Sequence, residues 1–395
     1  MGQLRATAVS GADEPDVPSA RPVHVVMPGD VDDPRSVSGG NSYDRRVCRE
    51  MSAAGTPVRT RAVAGTWPRP SAAARAELAG VLRELPDGAV VLVDGLVACG
   101  VPDVVVPQAR RLRLAVLVHL PLADETGLGP AEARELERLE RRTLHAAAAV
   151  VVTSEWAARE VTARHGLEAA RVHSVLPGTD PAPLARGTDG ASRLLCVAAL
   201  TPRKGQDLLV EALAGLGSVR PVFAEGQGPR GGDSGGPPWT CELTGPLDRA
   251  PGFVERLRRS VGEHGLGERV RLTGARSGED LAAAYDAADL LVLASHTETY
   301  GMVLTEALSR GIPVLATEAG AVPYTVGTAP DGSIPGILVP PGDSAALTAA
   351  LHTWLTDPGI RSHLTTSARG RRAKLQGWPE SSRQLAGVLE HLRLE

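Results

Sequence analysis

Two series of short apolar runs, each alternating with helical patterns, constrain the fold of this chain more than any other feature. The first series extends from Val23–Met27 to Val150–Thr153, and the second from Arg193–Ala199 to Pro313–Thr317. Short apolar runs bounded by Gly, Pro or Asp are typical of buried strands. Strands that alternate with helices predict a parallel sheet covered on both faces. We therefore expect an α/β protein with two doubly wound sheets.

The pattern predicts individual elements in both series. The predicted strands are Val23–Met27, Ala89–Val93, Leu114–Val118, Val150–Thr153, Arg193–Ala199, Thr240–Thr244, Val270–Thr273, Leu290–Ala294 and Pro313–Thr317. The predicted helices are Tyr43–Ala54, Ser71–Glu84, Ala131–His145, Gln206–Leu216, Gly252–His264, Glu279–Ala288 and Met302–Arg310. Ser71 is the expected N-cap of its helix. A cleft between two such units, beyond the carboxyl ends of the strands, is the expected ligand site.

The length of the chain, 395 residues, supports two domains. A single hydrophobic core stops growing at roughly 250–300 residues. The stretch Pro177–Ala191, rich in Pro, Gly and Asp, is the candidate linker. We predict a disordered tail at 1–21, a first domain at 22–180, a linker at 181–191, a second domain at 192–358 and C-terminal helices at 359–395.

Composition excludes several classes of protein. The chain has 42 Lys and Arg against 46 Asp and Glu, so it lacks the basic excess of a nucleic-acid-binding protein. Its apolar runs are shorter than the roughly 18 residues that suggest a membrane span. Residues 1–20 lack the apolar core of a secretion signal, so a cytoplasmic location is expected. The single cysteines, Cys48, Cys99, Cys196 and Cys241, are expected to be reduced packing residues.

The segment Ser295–Gly311 (SHTETYGMVLTEALSRG) is the strongest candidate for a binding site. It follows a predicted strand and enters a helix, whose free N–H groups favour an anion such as a diphosphate. Glu298 lies before the helix and Glu306 within it, so the two carboxylates could hold two sets of hydroxyls. The alternative makes Glu298 a helix cap and Glu306 an ordinary helix residue.

This segment resembles the E-x7-E signature of the retaining glycosyltransferases of family 4, matched here by Glu298 and Glu306. The similarity extends over roughly residues 22–390. Further motifs follow in the order of that family: RVRLTG (Arg269–Gly274), YDAADLLVLAS (Tyr285–Ser295), GIPVLAT (Gly311–Thr317) and GILVPPGD (Gly336–Asp343). The resemblance implies a GT-B fold, in which two Rossmann-like domains face each other across a cleft. It also implies that the first domain binds the acceptor, that the second binds a nucleotide sugar, and that the last helix (Trp378–Leu392) crosses back to the first domain.

By the same resemblance, Glu306 is expected to bind the ribose hydroxyls of the donor. Glu298 is expected to bind a hydroxyl of the sugar and to be catalytic. The amides of Gly301, Met302 and Val303 are expected to face the sugar or the diphosphate. Tyr300 and Arg276 complete the donor-binding residues on this side of the cleft.

The segment TPRKGQDLL (Thr201–Leu209) resembles the basic diphosphate loop of the family, with Lys204 in the lysine position. Lysine occurs in this chain only at positions 204 and 374. Lys204 is therefore expected to be catalytic, because it would neutralise the charge of the departing diphosphate. Ala199 stands where the family usually has an arginine. We expect Arg203 to take over part of that role; the alternative is that Arg203 faces solvent.

In the first domain, SGGNSYDRR (Ser38–Arg46) resembles the glycine-rich loop that approaches the donor phosphate. Gly39 and Gly40 are the expected donor contacts, and Asn41 and Tyr43 the expected acceptor contacts. His119 follows a predicted strand and matches a histidine that the family places near the reacting sugar. It is expected to be catalytic and to contact the acceptor, although a histidine at a strand end can also be purely structural.

Two further motifs are interpreted as coincidental. Gly226, Gly228 and Gly231 spell G-x-G-x-x-G, but Pro229 prevents the helix that a dinucleotide site requires. Asp30 and Asp32 spell D-x-D, a metal-binding motif in another glycosyltransferase fold, but a solvated loop is the simpler interpretation. No metal and no cofactor are expected besides the nucleotide-sugar co-substrate.

The expected function is the metal-independent transfer of a sugar, with retention, from a UDP- or GDP-sugar to a small-molecule or glycoconjugate acceptor. Three alternatives remain: a nucleotide-sugar epimerase or hydrolase of the same fold, an inactive sugar-nucleotide-binding subunit, and a peripheral membrane enzyme with a lipid acceptor. Arg110, Arg111 and Arg113 suggest the last of these. No transmembrane segment and no nucleic-acid partner are expected.

Overall fold

The computed structural model describes residues 21–32, 38–218 and 238–394. Most of the predicted tail at 1–21, together with Gly226, Gly228 and Gly231, lies outside the described residues.

The first sheet is built from valine-rich segments, whose β-branched side chains suit a strand that is buried on both faces. Its strands are β1 (Val23–Pro28), β2 (Val58–Val63), β3 (Val90–Asp94), β4 (Arg113–Val118), β5 (Ala149–Val152) and β6 (Val172–Ser174). They pair in the order β2-β1-β3-β4-β5-β6, and each pairing is parallel. The carboxyl ends of these strands therefore lie along one edge of the sheet.

The second sheet repeats this architecture. Its strands are β7 (Arg193–Val197), β8 (Thr240–Thr244), β9 (Val270–Gly274), β10 (Leu290–Leu293), β11 (Val314–Thr317) and β12 (Gly336–Val339). They pair in parallel in the order β12-β11-β10-β7-β8-β9. The strand order reverses direction next to β7 and β10, which is where ligands bind in open α/β sheets.

The described helices connect successive strands or follow the second sheet. Those of the first half are α1 (Gly39–Ala53), α2 (Ala72–Arg83), α3 (Gly95–Ala98), α4 (Pro102–Val105), α5 (Pro130–Ala146) and α6 (Glu155–His165). Those of the second half are α7 (Gln206–Gly215), α8 (Pro251–Glu263), α9 (Gly278–Asp286), α10 (Met302–Ser309), α11 (Val322–Val326), α12 (Ser344–Thr356), α13 (Pro358–Arg371) and α14 (Trp378–Leu394).

The prediction of two doubly wound parallel sheets is confirmed, and so is Ser71 as the N-cap of α2. The sequence pattern missed β2 because VRTRAV is polar and mostly exposed, and it missed β6 because this strand is short. It also placed the start of the first helix at Tyr43. The helix begins at Gly39, since the Ser38 hydroxyl accepts a hydrogen bond from the N–H of Asn41 and caps it.

The last two helices attach to different sheets. Helix α13 packs against α10 and α12 beside the second sheet, whereas α14 packs against α1, β3 and β4 of the first. Trp378, Leu385 and Leu389 of α14 are buried in one cluster with Val25 and Met27 of β1. The C-terminal helix therefore completes the core of the first sheet.

The four cysteines all lie in the described part of the chain, where each is buried and outside any disulfide, as predicted. Within the described ranges, no helix combines the length and the apolar character needed to cross a membrane.

Truncation of Leu385 tests whether α14 stabilises the first domain. Leu385 is fully buried, so Leu385→Ala is expected to lower the free energy of unfolding by about 2–5 kcal/mol. Leu394→Ala, in the same helix but 80% exposed, is the matched control and is expected to change it by less than about 0.5 kcal/mol. Urea unfolding of both variants makes the comparison. Equal unfolding midpoints of the two variants would contradict a stabilising role for the packing of Leu385.

Candidate active site

The loop between β10 and α10 is the point where the two halves of the molecule meet. The Thr299 hydroxyl donates a hydrogen bond to the carbonyl oxygen of His119, at 2.7 Å. The carbonyl oxygen of Thr299 accepts one from the Ser154 hydroxyl, at 2.6 Å. Both partners lie at strand ends of the first sheet, next to β4 and β5, so this loop spans the cleft between the sheets.

Lys204 reaches the same loop because of the residue that follows it. Gly205 has a φ of +63°, and a Cβ atom there would lie 2.0 Å from the carbonyl oxygen of Ala294. Only glycine fits such a position. The chain therefore turns tightly after Pro202–Lys204, and Lys204 lies beside the end of β10.

Lys204 and Glu298 form a buried ion pair. The Lys204 Nζ donates to the Glu298 Oε1 at 2.6 Å, and the Ser295 hydroxyl donates to the same oxygen at 2.7 Å. Burial acts to raise the pKa of Glu298, but Lys204, Arg203 and the Ser295 hydroxyl outweigh it, so this pKa is lowered. Burial lowers the pKa of Lys204, and Glu298 opposes that shift.

Arg203 faces the same loop. Its Nη1 donates to the carbonyl oxygen of Thr297 at 3.1 Å, while its Nε is buried and has no hydrogen-bond partner among the described residues. Its side chain therefore adds a second positive charge near Glu298, although part of the guanidinium is already used by the backbone.

Glu306 lies in α10, as predicted, and Glu298 in the loop before it. The Glu306 Oε2 accepts a hydrogen bond from the Tyr285 hydroxyl at 2.7 Å. Glu306 lines a cavity of about 290 Å³ together with Asp180, Arg310 and Trp378. Burial raises its pKa, and the Tyr285 hydroxyl and Arg310 oppose the rise. A carboxylate at the wall of a cavity is suited to accept hydrogen bonds from ligand hydroxyls.

The start of α10 faces the start of α1. Gly301 precedes α10 in a left-handed conformation, with a φ of +87°, and no side chain caps the helix. A Cβ atom on Gly39 would lie 3.6 Å from the Met302 Sδ. The first turns of two helices, one from each domain, thus lie side by side. The Leu304 N–H donates to the carbonyl oxygen of Gly301, whereas those of Met302 and Val303 have no acceptor among the described residues and are left for a ligand.

His119 is held by two buried carboxyl groups. Its Nε2 lies 2.8 Å from the Asp44 Oδ1 and 3.7 Å from the Asp94 Oδ2. Burial acts to lower the pKa of His119, but Asp44 and then Asp94 outweigh it, so this pKa is raised. Burial and the nearby Asp44 raise the pKa of Asp94 to about 8. The Asp94 carboxyl group is thus harder to ionise than a free one.

Asp44, Asp94 and His119 are also, among the described residues, a group close enough to hold one metal ion, with one ligand-type atom each within 4.8 Å of one another. Two ligands of a tetrahedral metal are about 3.3 Å apart when each bond is about 2.0 Å. The separation of 2.8 Å between His119 and Asp44 is that of a hydrogen bond. A shared proton fits this geometry better than an ion.

The structure changes the interpretation of three predicted contacts. Tyr43 is fully buried and donates its hydroxyl to the carbonyl oxygen of Val175, so it packs beneath His119 instead of facing an acceptor. Tyr300 is buried in the same way, with its hydroxyl 3.4 Å from the carbonyl oxygen of Pro177.

Arg276 forms a 2.7 Å ion pair with the buried Glu242, which also pairs with Arg193 at 3.0 Å, so the guanidinium of Arg276 is already engaged by the protein.

The remaining predicted residues occupy a range of positions. The Asn41 side chain is buried in the first turn of α1, and Val303 is half-buried in the first turn of α10. Asp30 and Asp32 are exposed in the turn after β1, away from any cluster of metal-ligating residues found in the described part of the chain.

Several residues of the site escaped prediction: Asp44, Asp94, Tyr285, Ser295 and Thr299. Asp94 had a usable signal, because it ends the apolar strand VVLVD and a polar residue at that place lies at the ligand edge of a parallel sheet. Asp44 lies within the glycine-rich motif, but only the fold shows that it contacts His119.

A family model described as "Glycosyl transferases group 1" matches residues 188–371. These residues are thus similar to a group 1 glycosyl transferase domain. They include Lys204, Glu298 and Glu306, whereas His119 and its two carboxyl partners lie outside the matched range.

Curated relatives are named D-inositol 3-phosphate glycosyltransferase. The protein of Mycolicibacterium vanbaalenii is 30% identical over 213 residues, which cover 50% of this chain and 45% of the relative. That of Corynebacterium kroppenstedtii is 28% identical over 300 residues, which cover 72% of this chain and 62% of the relative. The chain thus spans about half to three fifths of the length of these relatives.

Solved structures identify the fold over nearly the whole chain. The sucrose-phosphate synthase of Thermosynechococcus elongatus superimposes with a TM-score of 0.71 at 22% identity, covering 94% of this chain and 99% of that one. Anabaena HepE, solved with UDP and glucose, gives a TM-score of 0.68 at 18% identity and covers 94% and 99%. The chain has the GT-B fold.

The ion pair predicts a specific pattern of stability. Lys204→Met is expected to lower the free energy of unfolding by about 3–5 kcal/mol, because it leaves the Glu298 carboxylate buried without its cation. Lys204→Met combined with Glu298→Gln is expected to recover part of that loss, since no buried charge then remains unpaired. Urea unfolding of the two single variants and the double variant measures the coupling; strictly additive effects would contradict a buried pair.

Proposed function

We propose that this protein is a retaining glycosyltransferase that moves a sugar from a UDP- or GDP-sugar to a small-molecule or glycoconjugate acceptor, without a metal ion. The observation that supports it best is the uncapped start of α10, with the Lys204–Glu298 pair beside it and Gly39 across the cleft. Positive charge and free N–H groups at one place suit a sugar diphosphate.

In the proposed complex, each part of the donor meets a matching group. Glu306, which lines the cavity next to Tyr285, accepts hydrogen bonds from the ribose hydroxyls. The first-turn amides of Met302 and Val303 donate to the diphosphate. Glu298 accepts a hydrogen bond from a hydroxyl of the sugar, and the Ser295 and Lys204 contacts hold its carboxylate in one orientation.

The chemical step develops negative charge on the leaving group. The bond from the anomeric carbon to the diphosphate oxygen breaks, the acceptor oxygen bonds to that carbon on the same face, and the acceptor proton passes to the leaving oxygen. Lys204 shares its three N–H donors between Glu298 and the diphosphate, and the start of α10 adds its partial positive charge. Arg203, on the same turn, supplies further positive charge in place of an arginine at position 199.

The comparisons support the class of reaction. The chain contains a segment similar to a group 1 glycosyl transferase domain, and its relatives are named as glycosyltransferases. Because those relatives are named for D-inositol 3-phosphate, inositol phosphates are rational members of an acceptor panel. The protein solved with UDP and glucose shares the fold, which makes UDP-glucose a rational first donor.

The decisive experiment is a donor screen followed by a transfer assay. A donor at about 100 times its dissociation constant stabilises the folded protein by about 2.7 kcal/mol, so thermal shift identifies it. Mass spectrometry with an acceptor panel then detects a glycosylated product. Rapid release of nucleotide from the donor alone would favour the hydrolase, and an isomerised donor the epimerase; donor binding without either change would favour an inactive subunit.

A lipid acceptor has less support. Arg111, one of the three arginines that suggested it, donates to the carbonyl oxygen of Leu85 at 2.7 Å and pairs with Asp87. Its guanidinium is therefore committed to the protein, which leaves the exposed Arg110 and Arg113. With two such charges, binding to anionic vesicles is expected to be weak.

Substitution of Glu306 tests the ribose contact. Glu306→Ala is expected to weaken binding of UDP or GDP by one to two orders of magnitude, because a hydrogen bond to a charged group contributes about 1.5–3 kcal/mol. Glu298→Gln is expected to lower turnover with a smaller loss of nucleotide affinity. Isothermal titration calorimetry gives the affinities, with the exposed Glu263→Ala as control. Wild-type affinity in Glu306→Ala would contradict the assignment.

Chelation tests the metal-independent reaction. Turnover is expected to survive EDTA, since Lys204 and the helix N-terminus supply the positive charge that a metal ion otherwise provides. The assay compares initial rates before and after dialysis against EDTA. Complete loss of activity that Mg²⁺ or Mn²⁺ restores would overturn the proposal and return attention to Asp30 and Asp32.

A further inference from the structure

The residues around His119 indicate a role for its carboxyl neighbour Asp44, which the family resemblance does not assign. Of the two ring nitrogens, Nε2 is bound to Asp44, whereas Nδ1 has no hydrogen-bond partner among the described residues and is not buried. The side chain keeps 18% of its surface exposed. One nitrogen is thus held by an acid, and the other is accessible.

The surroundings hold the ring in this orientation. A Cβ atom on Gly40 would lie 3.0 Å from the His119 Cδ2, so the glycine lets α1 approach one side of the ring. The Tyr43 ring packs edge-on at 5.3 Å between centroids. The carbonyl oxygen of His119 is bound by Thr299 from the opposite domain, which places the residue at the cleft.

Every ionisable group that acts on the ring favours a positive charge. Asp44, from α1, is 2% exposed, and Asp94, at the end of β3, is 5% exposed. Tyr43 and Cys48, the other titratable groups of α1 here, have pKa values that are raised by burial and by Asp44, so both stay neutral. From the second domain, the Thr299 hydroxyl contacts the backbone carbonyl oxygen of His119. Asp44 is thus the acid in direct contact with His119.

We propose that Asp44 is a positioning residue that keeps His119 protonated, so that His119 presents a cationic Nδ1–H to the diphosphate of the donor. The identity of the donor rests on the proposed function. Such a charge adds to that of Arg203, whose Nη1 already donates to the carbonyl oxygen of Thr297. A cation from the first domain complements Lys204 from the second. The full positive charge of the cleft is then present only while the two domains are in contact.

Asp94 completes the arrangement. Its Oδ1 accepts a hydrogen bond from the Leu96 N–H at 2.6 Å, while the Asp44 Oδ2 is buried and accepts none from the described residues. Asp94 lies farther from the His119 Nε2 than Asp44 does, at 3.7 Å against 2.8 Å, which makes Asp94→Asn the matched control for Asp44→Asn.

The test is a titration of histidine by NMR. The full chain is labelled in its ten histidines, and His119→Gln identifies the His119 signal. The wild-type His119 is expected to titrate above the usual pKa of about 6.5. Asp44→Asn keeps a hydrogen-bond acceptor but removes the charge, so it is expected to lower the His119 pKa by about 1–3 units. Asp94→Asn is expected to shift it less.

Addition of UDP or GDP tests the contact with the diphosphate. Because a nearby anion favours the imidazolium, either nucleotide is expected to raise the His119 pKa further in the wild type. In the transfer assay, the cation is present below the pKa of His119 and is lost as the pH rises through it. The alkaline limb of the rate profile is therefore expected to move to lower pH in Asp44→Asn.

Three outcomes would overturn the inference. These are a neutral His119 at pH 7 in the wild type, a His119 pKa that Asp44→Asn leaves unchanged, and a wild-type signal that titrates only after EDTA, which would indicate a bound metal. The wild-type titration does not require Asp44→Asn, so a neutral His119 at pH 7 overturns the inference even if that variant fails to fold. If His119 titrates as expected but no sugar transfer is detected, the proposed function is rejected, whereas the inference about the charge of His119 is retained.

Discussion

The two hydrogen bonds of Thr299 are the interaction on which the rest of the site depends. They join the loop after β10 to His119 and to Ser154, so the carboxyl ends of both sheets meet at one point. This is possible because each sheet is parallel and directs its loops to one edge. The residues proposed to bind the nucleotide and the residues that face them from the first domain thus share a single loop as their border.

Two polar contacts lie on either side of that border. Lys204 pairs with Glu298 in the second domain, and His119 is hydrogen-bonded to Asp44 in the first; each joins a half-buried side chain to a buried carboxyl group. Removal of one partner leaves the other without its compensating group. In the proposed complex, a donor that inserts between them exchanges part of these contacts for contacts with its own diphosphate. The proposed ligand then links the domains electrostatically, in addition to the direct link through Thr299.

Much of the fold and part of the site were predictable from local patterns. Apolar runs such as Leu114–Val118 identified most of the central strands, because burial on both faces demands continuous apolar sequence. The polar strand Val58–Val63 was missed, since it lies at the exposed edge of its sheet and lacks that demand. Glu298 and Glu306 were located by the motif and by the predicted helix, which begins between them. Tyr43, from an equally specific motif, proved to be buried, because a motif identifies a position but not the direction of its side chain.

Local sequence patterns were enough to assign most of the central strands and several helices, and to place polar residues next to strand ends, since these depend on neighbours in the chain. Which of those ends meet follows from the tertiary fold alone. His119 contacts Asp44 across 75 residues, and Lys204 contacts Glu298 across 94. Strand order and the facing of two sheets bring them together, and neither is encoded in a local period of hydrophobicity. The charge state of His119 depends on that juxtaposition, because burial and two carboxyl groups act on it only after the chain has folded.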